Sequence, residues 1–282
     1  MKNIKQTLLW VLLIALLLGA TYGAWKILEQ NTLYSNNSDE RRIRQERYVH
    51  EPKTIYTNFD KNLLRRIDFD ALQKENVDAT RWISIPGTAI DDAVVQERTL
   101  GVYQYLWSGL DGQHNGSGSY MVPATPIDPN TGEMAQDDHL MVLGHRMSSR
   151  KGEWKFSHLP TRWATEAGAL NYPYVYIYYP DRVERYRVWT LATDVKGSTT
   201  SSESHNPEYM TPYTRDSDNY EAMLNYVASR GHYQVGRAPT RHDRTLMMST
   251  CNTAHASGGR THLTSVLDAE YFYETEELME YE

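Results

Sequence analysis

The chain has 282 residues, 40% apolar and 11% aromatic, enough for one large or two small domains with a real core. Its formal net charge of −7 argues against a nucleic-acid partner, because binding the phosphate backbone needs basic patches. A single cysteine rules out an internal disulfide and a multi-cysteine zinc site.

No charged residue lies between Lys5 and Lys26, and residues 7–28 read TLLWVLLIALLLGATYGAWKIL. About 20 such residues cross a bilayer as a helix. Lys2 and Lys5 precede the segment without an acidic neighbour, which predicts a cytoplasmic N-terminus and an extracellular remainder. Trp10, Tyr22 and Trp25 lie near its ends, where amphipathic rings favour the membrane interface. Small residues at Gly19, Ala20, Gly23 and Ala24 leave a cleaved signal peptide as the alternative, and both readings export the rest of the chain. The expected division is a cytoplasmic tip and transmembrane anchor over 1–29, a linker or stalk over 30–50, and an extracellular domain with an N-terminal helical extension over 51–282.

Residues 30–39 (QNTLYSNNSD) are polar and rich in Asn and Ser, as in a linker. Arg41, Arg42 and Arg44 alternate with Glu40 and Glu46, which predicts a solvated helix face. A second helix is predicted over 62–74, where Leu63, Leu64, Ile67 and Leu72 recur at helical spacing, although Asp68 and Asp70 interrupt it. From Asp78 onward the texture changes to short strands: 82–85 (stopped by Pro86-Gly87), 93–96, 118–122 and 139–143. A Pro/Asn/Gly-rich loop over 123–138 separates the last two. Residues 174–179 and 183–195 predict a hairpin across Pro180-Asp181. The excess of tyrosine over phenylalanine, 21 to 4, fits strands with one wet face. One helix interrupts the pattern: Asp218 to Glu221 resembles a capping box, Tyr220, Met223, Leu224 and Val227 share a face, and Gly231 supplies the stop. Strands over 245–250 and 263–267 complete a mainly β chain, expected to form a closed or nearly closed barrel.

Three strand ends carry chemistry. The apolar run Leu140 to Leu143 ends in Gly144-His145, the run Thr245 to Thr250 ends in Cys251, and Gly258-Gly259-Arg260 opens the last strand after a polar loop over 252–257. Taken singly, these have plainer readings as a core or surface histidine, a buried thiol and a surface arginine. If the last two strands pair antiparallel, Cys251 and Arg260 face each other across the hairpin mouth. A thiolate is a strong nucleophile, a histidine in reach can protonate a leaving amine, and an arginine can stabilise a tetrahedral oxyanion. The chemistry requires no cofactor and no metal. The adjacent pairs Asp91-Asp92 and Asp137-Asp138 point apart in a strand, so solvated carboxylates are expected there rather than a calcium site.

These features resemble the sortases, and the class B sortases in particular. Gly-His at one strand end, Ser249-Thr250-Cys251 at another and the downstream arginine come in that family's order. Phe69-Asp-Ala-Leu, Asn76-Val-Asp78, Trp82 to Asp91, Val94-Val-Gln96, Gly144 to Met147 and Phe156-Ser-His-Leu159 extend the similarity over about 68–267. The helix over 218–230 sits where class B members insert one before the cysteine strand. The resemblance implies an eight-stranded sortase-type barrel with N-terminal helices, and a two-step transpeptidation. Cys251 would attack a threonine carbonyl in the C-terminal sorting signal of an exported protein, and His145 would protonate the leaving amine. Arg260 would hold the carbonyl oxygen, with Ser249 and Thr250 as substrate-binding residues. An amine from cell-wall peptide or a pilin lysine would resolve the thioester. Met248 stands where the family usually has leucine, Arg81 where it has glycine, and Asp92-Ala93 where it has an aromatic–proline pair; these departures bear on substrate preference. The rival readings are another cysteine peptidase or amidase acting on cell-wall peptides, in many of which the cysteine precedes the histidine, and a non-catalytic surface scaffold.

Overall fold

The computed structural model describes residues 2–52, 59–127, 129–132, 138–147, 155–193, 215–251 and 259–281. Helix α1 (Lys2–Tyr48) runs unbroken for 47 residues. Its segment Leu8–Glu29 is long and apolar enough to cross a membrane, and none of it is buried against the rest of the chain. The helix continues through 30–39, so the polar stretch expected to be a linker is helical. A polar composition is a weak prior against helix, and packing at the far end decides the outcome.

That packing also revises the expected solvated arginine face. The Arg44 guanidinium grips Asp92 with two hydrogen bonds of 2.7 Å, and Arg41 Nη1 donates to the Ala89 carbonyl at 2.6 Å. Of the three arginines only Arg42 stays in solvent, paired with the exposed Glu46. Tyr48 is buried.

The helix expected over 62–74 is broken in two. Between α2 (Lys61–Leu64) and α3 (Phe69–Glu75), the short strand β2 (Arg66–Ile67) pairs antiparallel with β1 (Val49–His50). The aspartates explain the break. Asp60 Oδ1 accepts the Asn62 N–H at 3.0 Å and Asp68 Oδ1 accepts the Ala71 N–H at 2.9 Å, so each caps a new helix.

The sheet comprises β3 (Ala79–Ser84), β4 (Asp91–Gln96), β5 (Tyr120–Val122), β6 (His139–Leu143), β7 (Tyr174–Tyr178), β8 (Arg182–Thr193), β9 (Thr245–Cys251), β10 (Arg260–Phe272) and β11 (Glu277–Glu280). Strand order is β11-β10-β8-β7-β3-β4-β5-β6-β9, and β9 pairs back onto β10. Eight strands, β3 to β10, therefore close a barrel, as expected, with β11 added as a hairpin on β10. The β4–β5 and β6–β9 pairs are parallel; the other barrel pairs are antiparallel. The expected hairpin over 174–195 is present up to Thr193; residues 194–195 lie outside the described residues.

Alternate residues feed two apolar layers, one on each face of the wall. Met141, Leu143 and Met247 join Tyr48, Leu63, Leu72 and the buried face of α6 (Asp218–Arg230). Leu140, Val142 and Met248 join Phe156 with Leu159 of α4 (Leu159–Arg162) and Ala169 of α5 (Glu166–Asn171). Helix α6 buries Tyr220, Met223, Leu224 and Val227 as predicted. Its cap is Ser217 rather than Asp218: Ser217 Oγ accepts the Tyr220 N–H at 3.2 Å. Asp218 falls in the first turn, where the helix dipole favours negative charge. Gly231 ends the helix at φ −65°, so no left-handed cap is involved. Space requires it instead, since a Cβ there would lie 2.3 Å from Thr190 Oγ1.

Candidate active site

The parallel pairing of β6 with β9 sets Leu143 opposite Ser249, and the Gly144 N–H donates to the Ser249 carbonyl at 3.1 Å. Two residues further, both chains reach the same edge of the barrel: His145 leaves β6 and Cys251 ends β9. Strands so paired lie about 4.8 Å apart. At the opposite end of these strands, Thr245 Oγ1 meets the Tyr220 hydroxyl and His139 Nδ1, each at 2.7 Å, so α6 ties down their feet. Burial pushes His139 down to about 3, with the charge of His262 adding to it, so His139 is a neutral core residue.

On the other side, β9 and β10 are antiparallel and Arg260 stands opposite Cys251. Arg260 Nη1 lies 2.9 Å from Cys251 Sγ, and the free thiol is half-buried at the edge. A guanidinium aimed at this point complements negative charge on the sulfur or on an oxygen held beside it. By strand alternation Cys251 shares a face with Ser249 and Met247, and Arg260 shares that face with Val266 across the pair.

His145 is partly enclosed. Its ring lies against Trp107, centroids 4.5 Å apart at 57°, and its buried Nε2 has no hydrogen-bond partner among the described residues. Burial holds its pKa below the ordinary imidazole value, the positive charges of Arg260 and Lys155 push the same way, and a hydrogen bond to the Leu106 backbone opposes them. The ring is therefore mainly neutral at pH 7. Gly144 is fixed by space, because a Cβ would sit 2.7 Å from Phe156 Cδ2. After His145 the chain is held by the Phe156 N–H, which donates to the His145 carbonyl at 3.1 Å, and by the bridge from Arg146 to Lys155.

Ser249 and Thr250 are both buried below the edge, and Thr250 Oγ1 has no hydrogen-bond partner among the described residues. Gly258 and the loop over 252–257 lie outside the described residues, as does Asp137. The aspartates expected in solvent are ion-paired instead. Asp92 binds Arg44 and Lys155, Asp91 Oδ1 binds Arg65 at 2.8 Å, and the buried Asp138 binds Arg215 at 3.1 Å. Asp91 and Asp92 do point to opposite faces, as the alternation requires, but each finds cations there. Sequence reasoning missed Trp107, whose only signal is an aromatic before a glycine-rich loop, and Lys155, whose side chain is buried with its ammonium 4.8 Å from the Tyr120 ring centroid.

No protein-family model matches the chain, and no curated protein matches it in sequence. Solved structures do. Sortase B from B. anthracis, in complex with AAEK1, superposes with a TM-score of 0.62 at 19% identity, covering 84% of this chain and 98% of that one. Clostridium perfringens sortase B gives 0.57 at 22% identity over 71% of this chain and 98% of that one. A Staphylococcus aureus sortase B–substrate complex gives 0.56 at 17% identity over 71% and 84%. The chain therefore has a sortase-type fold.

Proposed function

We propose that this chain is a membrane-anchored cysteine transpeptidase of the sortase type. The observation that carries the reading is the meeting of Cys251 and Arg260 at 2.9 Å, with His145 two residues past the end of the neighbouring parallel strand at the same edge. In the first step the Cys251 sulfur attacks the carbonyl of a threonine in a C-terminal sorting signal as the thiol proton passes to the neutral His145. Arg260 binds the developing oxyanion, worth about 3–4 kcal/mol for a well-placed donor. The tetrahedral intermediate expels the amine as His145 delivers a proton to it, leaving a thioester on Cys251. In the second step an amine from cell-wall peptide or a pilin lysine attacks the thioester, His145 takes up its proton, and Cys251 is released. Ser249 and Thr250 border the nucleophile and stiffen the strand end that a substrate meets. Helix Leu8–Glu29 serves as the anchor, with the N-terminus cytoplasmic and the barrel outside.

The test is incubation of the purified protein with a library of sorting peptides and a free amine, followed by mass spectrometry of Cys251. A thioester adduct that the amine converts to a peptide–amine product supports transpeptidation. Cleavage whose rate and product ignore the amine would make the chain a peptidase instead.

A further inference from the structure

The segment between β4 and β5 brings a residue to the site that the strand ends do not supply. Trp107 closes the 3-10 turn Gln104–Leu106, its N–H donating to the Gln104 carbonyl at 3.0 Å. Its ring lies on the His145 imidazole at 4.5 Å, while the residue as a whole remains 52% exposed. A tryptophan that open contributes little to the core, so folding alone does not account for it. Its backbone is nonetheless braced from several sides. The Asn115 N–H donates to the Trp107 carbonyl at 3.0 Å, the Ser119 N–H to the Tyr105 carbonyl at 2.7 Å, and Ser119 Oγ to the Ser108 carbonyl at 3.1 Å. Gly118, at φ +62°, passes so close that a Cβ would stand 2.0 Å from the Leu106 carbonyl oxygen. The turn is thus built to hold one exposed ring at one place.

We propose that Trp107 is a positioning residue: its ring pins the His145 imidazole at the barrel edge that carries Cys251 and Arg260 and keeps bulk water from it, so that the ring is held in one orientation for proton transfer. The proposal rests on the catalytic reading of Cys251, His145 and Arg260. An imidazole at a strand end otherwise has several open rotamers, and a small misplacement of a proton donor costs rate steeply. Burial is the main cause of the lowered His145 pKa, and the indole supplies part of that burial.

The experiment uses the full-length protein in detergent micelles with 13C-labelled histidine, the His145 signal being identified by its loss in His145→Ala. In Trp107→Ala the His145 titration midpoint should rise toward the ordinary imidazole value at unchanged melting temperature, while Trp107→Phe stays near wild type. Trp107→Leu replaces the alanine variant if that one melts early. With a turned-over sorting peptide from the library, kcat should fall about tenfold or more while KM moves less than about twofold. A midpoint that does not move overturns the proposal, as does a loss confined to KM, which would make Trp107 a substrate contact. The titration needs no substrate, so a wild-type protein without transpeptidase activity would defeat the catalytic reading separately.

Discussion

Asp92 offers the sharpest test of how this barrel is held together. Its side chain is 4% exposed and lies between the Arg44 guanidinium at 2.7 Å and the Lys155 ammonium at 3.4 Å, itself 8% exposed. Burial alone would raise its pKa, but the charges of Arg44 and Lys155 override that and hold it well below the usual carboxylate range. Asp92→Asn keeps the shape and leaves two buried cations without their shared counter-charge. Removing one partner of a buried pair costs roughly 3–5 kcal/mol. At about 2–4 °C per kcal/mol for a domain of this size, the melting temperature should fall by roughly 6–20 °C. The assay is thermal unfolding of the full chain in detergent, followed by near-UV circular dichroism. Adding Lys155→Met to Asp92→Asn should restore part of the loss, because one orphaned cation is then gone. Because the folded pKa is depressed, the stabilisation from Asp92 is complete above the unfolded carboxylate value of about 3.9 and disappears as pH falls through the folded value. A loss under about 1 kcal/mol in Asp92→Asn would refute the idea that this carboxylate joins α1 to the wall.

The other predictions are more direct. Cys251→Ala and His145→Ala should each abolish peptide transfer without lowering the melting temperature, as read by product mass and thermal melts. Arg260→Lys should cut turnover by about 100-fold or more, since lysine keeps the charge but not the planar fork. Gly118→Ala forces a side chain onto a backbone at φ +62° and against the Leu106 carbonyl, so it should cost about 1–3 kcal/mol or more and lower turnover with it. Ser217→Ala removes the cap of α6 and should cost about 1 kcal/mol in denaturant titration with activity intact.

Much of the fold is readable from residue order because the decisive pattern is local. The apolar runs ending at Leu143 and Thr250 are buried strands, and the last-strand hairpin sets Arg260 against Cys251 from the register of neighbouring residues alone. The parallel β6–β9 pair that brings His145 to the same edge joins segments about a hundred residues apart, and only the shared class of fold anticipated it. What escaped depends on contacts without periodicity. Asp91 and Asp92 read as wet because their cations, Arg65, Arg44 and Lys155, are distant in sequence. Strand β11 (ELME) is charged and mostly exposed, so only its partner Ala269–Phe272 reveals it. Trp107 carries no motif, and its place beside His145 comes from the folding of a glycine-rich turn.

The continuity of α1 has a mechanical consequence. From Gln30 to Arg44 the helix advances about 21 Å at 1.5 Å per residue, and its end is bolted to the barrel by Arg44 and Gln45. With Leu8–Glu29 in a bilayer, the protein stands on a mast rather than a tether. The barrel edge that carries Cys251 is then kept at one height and bearing above the lipid.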